Sequence, residues 1–363
     1  MSLYIFNLIF LLLVYLFVNR LKISKKWFVR ISLCYLFVIS CLRDNNIGTD
    51  THSYIAAFKA ISDTGTYYME KGFVLLNRIV ARFTSNYIGV SIAVNLMLFI
   101  PLYKYITECI DEEAWEIAIA VFALNPYMFI ESTFNILRQS CATGVILLGM
   151  CFLHKGKKIR NILIYLIMAI VAAQFHRIAF VMLIIPFVMY FPWNKIWWLF
   201  AMCLSVIMNV ANTKTIQEYI LKVLHFRTTY SSYDASPLNN PVYIAGIMIL
   251  FLYLLSRYYD YTGAGETEKN KIDLYLFSLC FLIIAISNDM IYRVYVFLAY
   301  IALPGISVII RPVSEPSARV YLKNEKEIVR ILYYSYYICF YFGYLVLLAI
   351  HQDVNYIPFK FMI

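Results

Sequence analysis

Residues 1–20 of the chain read MSLYIFNLIFLLLVYLFVNR. A helix that crosses a lipid bilayer needs about 20 predominantly apolar residues, and this run has that length. It has no basic segment at its start and no small-residue cleavage site. We therefore interpret it as a retained first helix rather than a removed signal peptide. Similar runs recur along the chain, and they decide the predicted fold class.

The composition of the whole chain has the same character as this first run. Of its 363 residues, 62% are hydrophobic, 18% are aromatic and only 14% are charged. A soluble domain averages about 45–50% apolar and about 25% charged residues. The composition therefore predicts a membrane protein with many helices. It excludes a nucleic-acid-binding domain, a secreted disulfide scaffold and a two-domain cytosolic enzyme.

A window of about 19 residues divides the chain into about twelve apolar segments. The segments lie near residues 2–19, 27–42, 86–104, 114–130, 136–153, 160–175, 177–191, 195–211, 241–257, 272–288, 291–310 and 331–350. The pair 160–175 and 177–191 is short, so it either crosses the membrane twice or forms a broken, re-entrant element. We predict an all-α polytopic protein with about 10–12 crossings, in which residues 1–363 form a single integral-membrane domain.

The basic residues indicate how such a protein is oriented. The net charge is +10, and most of the 31 Lys and Arg residues fall in alternate connections. Cytoplasmic connections retain Lys and Arg, so these connections are expected inside and both termini outside. Two long connections, 43–85 and 212–240, then face outward. The first has apolar residues at helical spacing, which predicts short amphipathic helices lying at the membrane interface.

The cysteines and histidines indicate neither a metal site nor a disulfide framework. The eight cysteines lie mostly inside apolar runs without a C-x-x-C spacing. The five histidines lack a ligand spacing such as H-x-x-x-H. We therefore expect no metal ion and no cofactor.

Three arginines fall on the outward side, within or between apolar segments: Arg138, Arg177 and Arg293. Ionisable groups inside membrane spans are costly and usually face a cavity or a partner. A guanidinium binds phosphate oxygens in a bidentate manner and keeps its charge, so the three arginines suit a shared diphosphate. The alternative is that each pairs with a nearby acid, as Arg293 with Asp289, or extends to the interface.

The first long connection carries the second group of candidates. Thr49, Asp50, Tyr54 and Glu70 offer carboxylates and hydroxyls that suit sugar recognition or removal of a proton from an attacking hydroxyl. The alternative is that Thr49, Asp50 or Thr51 simply caps a helix that starts there, with Gly48 in the preceding turn. His176 lies between two apolar segments and can act as an acid or a base near a bound anion, although structural histidines are common at such positions.

Six strings, taken in order, resemble the EpsG-like branch of the bacterial Wzy-type O-antigen and exopolysaccharide polymerases. They are LRDNNIGTDTHSYIAAF, EKGFVLLNRI, FNILRQSCATGVILLG, QFHRIAFVMLIIPF, MIYRVYVFLAY and NYIPFKF. Each string is short and degenerate, and the resemblance rests on the series, which extends over nearly the whole chain. The last string departs from the usual Pro-Tyr by having Pro358-Phe359.

The resemblance implies a metal-independent glycosyltransferase of the hexosyltransferase type, with GT-C-like architecture, in the bacterial inner membrane. Its substrate would be an undecaprenyl-diphosphate-linked oligosaccharide, polymerised on the periplasmic side, and a separate chain-length regulator is a candidate partner. Its motifs correspond to Gly48-Thr49-Asp50, Glu70-x-Gly72-Phe73, His176 and four arginines. The expected roles are catalysis by Asp50, His176 and Glu70, diphosphate binding by Arg43, Arg138, Arg177 and Arg293, and substrate binding by Thr49, Tyr54 and Asn135.

Two other functions remain as alternatives. An O-antigen ligase uses the same type of donor and similar chemistry. A flippase for the lipid-linked oligosaccharide also has about twelve helices, but it is expected to show paired repeats and short outer loops. The long connection 43–85 and the outward position of the candidates favour the polymerase over the flippase, and the ligase stays open as an alternative.

Overall fold

A computed structural model describes residues 2–210, 241–259, 265–286 and 288–310, together with residues 335, 338, 341–343 and 346. Over these residues the chain is helical, without a strand. The helices are α1 (Ser2–Arg20), α2 (Lys25–Cys41), α3 (Thr51–Thr64), α4 (Lys71–Ala81), α5 (Ile88–Cys109), α6 (Trp115–Leu124), α7 (Ile130–Phe134), α8 (Leu137–Leu153), α9 (Ile159–Ala173), α10 (Ile185–Tyr190), α11 (Lys195–Val210), α12 (Pro241–Tyr259), α13 (Glu266–Ala285), α14 (Asp289–Ile301) and α15 (Leu303–Ile310), with 3-10 helices at Glu112–Ala114 and Arg177–Ile184.

The all-α prediction is confirmed for the described residues, and most predicted segments there coincide with one helix. In the same part of the chain, one helix, α5, is both long and apolar enough to cross a membrane. Several others are apolar but have 10–17 residues. The number of crossings and the GT-C-like architecture stay predictions. The long connection 212–240, the segment 331–350 and Pro358-Phe359 lie outside the described residues, apart from the few positions within 331–350 given above.

Three predicted segments are not continuous α-helices. In the segment 114–130, the helix ends at Leu124. Asn125 adopts an extended conformation because Pro126 follows it. The segment 291–310 breaks at Ala302. The segment 177–191 divides into a 3-10 helix and the six-residue α10, which agrees with the broken-element alternative.

The contacts group the described helices into two compact units. Unit 1 includes Met1–Phe180, and unit 2 is Val181–Ile309. In unit 1, α5 packs between α2 and α8, and α8 packs in turn on α9. In unit 2, α13 contacts α10, α11, α12 and α14. There the indole Nε1 of Trp198 donates to the buried Asp273 carboxylate at 2.9 Å.

The packing of α5 on α8 depends on one glycine and one proline. Pro101 lies inside α5. Since proline has no N–H, the carbonyl of Met97, four residues earlier, has no partner at that helical position. Gly144 of α8 lies against this carbonyl, and a Cβ atom at Gly144 would collide with it. The missing hydrogen bond and the missing side chain together let the two backbones come close.

Basic side chains that the charge pattern assigns to the cytoplasm lie together at one end of unit 1. Lys25 at the start of α2 pairs with Glu116 at 3.3 Å. Lys104 and Lys155 both pair with Glu108, at 3.8 and 3.7 Å. The last turn of α5 and the connection after α8 therefore lie at this end.

The opposite end of unit 1 contains the predicted site residues of the first long connection. α2 has 17 residues, which corresponds to about 25 Å of helix between Lys25 and Cys41. Arg43, just beyond α2, contacts Ser91 in the first turn of α5. Arg138 lies in the first turn of α8, whose other end leads to Lys155. Thus the candidate residues and the basic cluster occupy different ends of the same helices.

Candidate functional site

Arg43 joins three parts of unit 1. Its side chain is buried, and its Nη1 donates to the carbonyl of Ser40 at 2.7 Å and to Oγ of Ser91 at 3.1 Å. Its Nη2 donates to the carbonyl of Phe134 at 3.3 Å, and the guanidinium lies 5.5 Å from the centre of the Phe134 ring. These contacts fix the end of α2 to α5 and to the segment before α8. They indicate a structural role for Arg43, and its contact with a diphosphate stays a prediction.

The Gly48-Thr49-Asp50 segment forms the turn that leads into α3. Gly48 has φ +94°, and a Cβ there would collide with the carbonyl of Phe134, so the turn requires glycine. Thr51 Oγ1 donates to the carbonyl of Ile47 at 2.6 Å and stabilises the turn. Asp50 occupies the N-cap position of α3, but its side chain makes no capping hydrogen bond. The capping alternative therefore does not account for the half-buried Asp50 carboxylate.

A hydrogen-bonded chain joins this turn to the segment before α8. Thr49 Oγ1 donates to Oδ1 of Asn135 at 3.1 Å, and Asn135 Nδ2 donates to Oε2 of Glu131 at 2.8 Å. Thr49 and Asn135 were both predicted from the sequence, whereas Glu131 was not. The available signal was a carboxylate one helical turn before Asn135, in the string FIESTFN.

The second contact between the first long connection and α8 is an ion pair. Arg138 Nη1 donates to Oε2 of Glu70 at 2.5 Å, and the side chains are 23% and 13% exposed. The Tyr54 side chain also hydrogen-bonds with the Arg138 guanidinium. Three residues that the sequence predicted for a common site are thus in direct contact. Arg138 therefore has the acid partner that the alternative interpretation expects, although no pattern in the sequence identifies Glu70 as that acid.

The segment around Glu70 also meets the histidine motif. The backbone N–H of Gly72 donates to the carbonyl of Gln174 at 2.8 Å, and a Cβ on Gly72 would crowd that carbonyl. His176, two residues further on, is only 5% exposed. Arg177, which begins the following 3-10 helix, is exposed. The motif residues 70–73 and 174–177 therefore lie side by side.

Arg293 belongs to unit 2 and lies on α14 with a partly exposed side chain. The side chain of Asp289, its alternative partner, is not among those described. For the described residues, no group of three or more His, Cys, Asp or Glu side chains is arranged to hold a metal ion. In unit 1, the site combines a partly exposed arginine with several carboxylates, hydroxyls and an amide. Such a set can bind an anion beside a sugar hydroxyl.

Residues 26–361, nearly the whole chain, match the EpsG family. The chain belongs to the EpsG family. No curated protein and no solved structure gives a significant match. Family membership and the apolar helical fold indicate a membrane protein. Family membership also indicates a role in polysaccharide biosynthesis, as a glycosyltransferase-like polymerase.

In this EpsG-family chain, the motifs that are far apart in sequence meet at one end of unit 1. The Gly48-Thr49-Asp50 turn contacts the segment before α8, Glu70 contacts Arg138, and Gly72 contacts Gln174, two residues before His176. The resemblance therefore corresponds to a spatial cluster in unit 1. Four arginines were predicted to act together, and the contacts distinguish the buried Arg43 from the partly exposed Arg138.

Proposed function

We propose that this EpsG-family protein is an O-antigen or exopolysaccharide polymerase. In this proposal it joins undecaprenyl-diphosphate-linked oligosaccharide repeat units at the periplasmic face of the bacterial inner membrane. The observation that carries the proposal is the cluster around Arg138, where an arginine with a partly exposed side chain lies beside Tyr54 and Glu70. The hydroxyl and amide groups of Thr49 and Asn135 come from the same short segments.

The proposed reaction is transfer of a glycan from one lipid diphosphate to the end of another lipid-linked unit. The acceptor hydroxyl oxygen forms a bond to the anomeric carbon of the donor. The bond from that carbon to the diphosphate oxygen breaks, and the diphosphate leaves with the electron pair. A base of the protein takes the hydroxyl proton, so that no charge is left on the new glycosidic oxygen.

Arginines stabilise the negative charge that develops on the departing diphosphate, as fixed positive groups do in a site with little water. Arg138 is the first choice for this role, and Arg177, which also belongs to unit 1, is proposed to assist it. Because guanidinium groups supply the positive charge, the proposed mechanism uses no metal ion. Asp50 is the preferred proton acceptor, since its carboxylate makes no capping bond and lies next to Thr49. His176 is the second choice.

The proposed orientation rests on the basic cluster at the other end of unit 1. Lys25, Lys104 and Lys155 belong to connections that the charge pattern assigns to the cytoplasm. The Arg138 cluster belongs to the opposite end of the same helices, which supports a periplasmic site. A lipid-linked substrate would reach it from the outer leaflet.

A deletion strain that carries plasmid copies of the gene tests the proposal. The wild-type copy is expected to restore long-chain glycan, and Arg138→Ala at equal membrane level is expected to leave single-repeat glycan. Arg82→Ala, at an exposed position at the end of α4, serves as the matched control and should restore the full ladder. Complete loss of glycan-capped lipopolysaccharide in the deletion strain would indicate a ligase instead. A normal ladder with Arg138→Ala would refute the proposed role of Arg138.

A further inference from the structure

The position of Glu70 suggests a task different from the one its motif predicts. Glu70 is the N-cap residue of α4, yet its side chain makes no capping hydrogen bond to that helix. The carboxylate instead reaches the first turn of α8 and accepts the hydrogen bond from Nη1 of Arg138 at 2.5 Å. A glutamate that had only to stabilise the start of α4 would be directed at the free N–H groups of that helix.

The surrounding contacts hold the start of α4 in a fixed position. The Gly72 N–H is bound to the carbonyl of Gln174, and the Phe73 side chain is completely buried. The Phe73 ring packs on the ring of Tyr54, with 5.6 Å between their centres. Tyr54 itself hydrogen-bonds with the Arg138 guanidinium. Two oxygen-bearing side chains, from α3 and from the start of α4, therefore hold the same arginine.

These contacts leave part of the guanidinium available. A guanidinium has five N–H donors in a planar fork, and Glu70 accepts from one of its terminal nitrogens. Nε of Arg138 is buried and has no hydrogen-bond acceptor among the described residues, whereas the side chain as a whole is 23% exposed. The carboxylate thus fixes one side of the fork, and donors remain on the fork for an anion. The Oε2 atom that accepts this bond is directed at the arginine.

We propose that Glu70 is the positioning residue of Arg138 and not the proton acceptor of the reaction. It holds the guanidinium in the orientation that binds the diphosphate of a lipid-linked substrate. This inference rests on the proposed function, and it revises the catalytic role that the E-x-G-F motif suggests for Glu70. The proton then goes to another group, for which Asp50 and His176 are the candidates.

Two substitutions at Glu70 separate positioning from proton transfer. In Glu70→Gln, the amide oxygen can still accept a bond from Nη1, although the bond no longer has an ionised acceptor. We expect kcat to fall by about 3–10-fold, since charge-assisted hydrogen bonds are about twice as strong as neutral ones. In Glu70→Ala, the ion pair that holds the arginine is lost, and kcat is expected to fall by about 100-fold, the loss that a misplacement of about 1 Å can cause. A proton acceptor would instead make both variants equally inactive, because neither side chain can take a proton.

Binding of inorganic pyrophosphate to protein in lipid nanodiscs gives a second readout that needs no turnover. Arg138→Ala is expected to weaken pyrophosphate binding by at least about 10-fold, since it removes the proposed ligand group. Glu70→Ala should weaken it too, although this change removes a negative charge, and Glu70→Gln should stay close to the wild type. With Arg138→Ala already present, substitution of Glu70 should cause no further loss, because residues that act as one unit are not additive.

Glu116→Gln is the matched control, because Glu116 also forms a partly exposed ion pair with a basic residue, at the other end of unit 1. It should change neither pyrophosphate binding nor kcat. Equal losses of kcat in Glu70→Gln and Glu70→Ala, with wild-type pyrophosphate binding in both, would overturn the inference. Absence of pyrophosphate binding by the wild type would overturn it as well. If binding follows the expected order but the wild type makes no polymer, the proposed function fails while the role of Glu70 stands.

Discussion

The contacts of Arg43 and Arg138 predict different effects when each arginine is replaced. Replacement of Arg43 should mainly lower the stability of the protein, and replacement of Arg138 should mainly lower its activity. Arg43→Ala removes hydrogen bonds to the carbonyls of Ser40 and Phe134 and to the hydroxyl of Ser91. Hydrogen bonds that involve a charged group contribute about 1.5–3 kcal/mol each. At the lower limit of this range, three hydrogen bonds contribute about 4–5 kcal/mol. Because neighbouring interactions are not additive, we expect a total loss of stability of about 3–5 kcal/mol.

Thermal unfolding of the detergent-solubilised protein, followed by tryptophan fluorescence, measures this loss. A destabilisation of 1 kcal/mol lowers the Tm of a domain of about 150–250 residues by about 2–4 °C. We therefore expect Arg43→Ala to lower the Tm by at least about 5 °C and to reduce the amount of folded protein in the membrane. Arg138→Ala removes one partly exposed ion pair and the hydrogen bond with Tyr54, and its Tm is expected to fall by less than that of Arg43→Ala, by about 3 °C.

The activity of the folded fraction completes the comparison. Per folded molecule, Arg43→Ala is expected to keep polymerase activity within about 10-fold of the wild type, whereas Arg138→Ala is expected to lose at least about 100-fold. Ser91→Ala, which removes one acceptor of Arg43, should lower the Tm by a smaller amount than Arg43→Ala. If Arg43→Ala has the Tm of the wild type and makes no polymer, the structural interpretation of Arg43 is wrong, and its motif role in diphosphate binding is correct.

Three further changes test the packing of α8 on α5, the turn at Gly48 and the proposed role of Asp50 as the base. Gly144→Ala is expected to destabilise the protein by about 1–3 kcal/mol or more, because its Cβ meets the carbonyl of Met97; Gly246→Ala, where a Cβ meets nothing within 4 Å, should leave the Tm unchanged or higher. Gly48→Ala should lower the Tm more than Gly65→Ala, since both have positive φ but only Gly48 also meets a carbonyl closely, and equal shifts would contradict this. Asp50→Asn should lower kcat by about 10²–10⁴-fold with little change in Tm if Asp50 is the base, and wild-type kcat would exclude that role.

The helical class follows directly from the sequence, because apolar runs of membrane length leave no other regular structure for the backbone. The interruptions within the predicted helical segments depend on single residues, which an average over about 19 residues does not show. Asn125 is extended because Pro126 follows it, whereas Pro101 is tolerated inside α5. In the second case the carbonyl of Met97, which Pro101 leaves without its helical partner, packs against Gly144, more than 40 positions away. A sequence window cannot contain that information.

In the candidate site, too, the sequence predicts the types of residue but not their contacts. The types of residue in the first long connection and at the start of α8 indicate an outward-facing polar site, and the structure brings several of them into contact. Their individual tasks depend on partners far away in the chain. Arg43 binds backbone carbonyls, which have no signature in the sequence, and Glu70 finds Arg138 at a separation of 68 residues. Glu131 was not predicted, and its contact with Asn135 connects it to the site.

The central claim is that Arg138 holds the diphosphate of a lipid-linked glycan during its transfer. Purified wild-type protein and Arg138→Ala are reconstituted into liposomes with a defined undecaprenyl-diphosphate-linked repeat unit, and polymer and released undecaprenyl diphosphate are measured together. We predict a ladder of polymer from the wild type, with one undecaprenyl diphosphate released for each new linkage, and at least about 100-fold less of both from the folded variant. A full ladder from Arg138→Ala, or no polymer from correctly folded wild-type protein, would contradict the account.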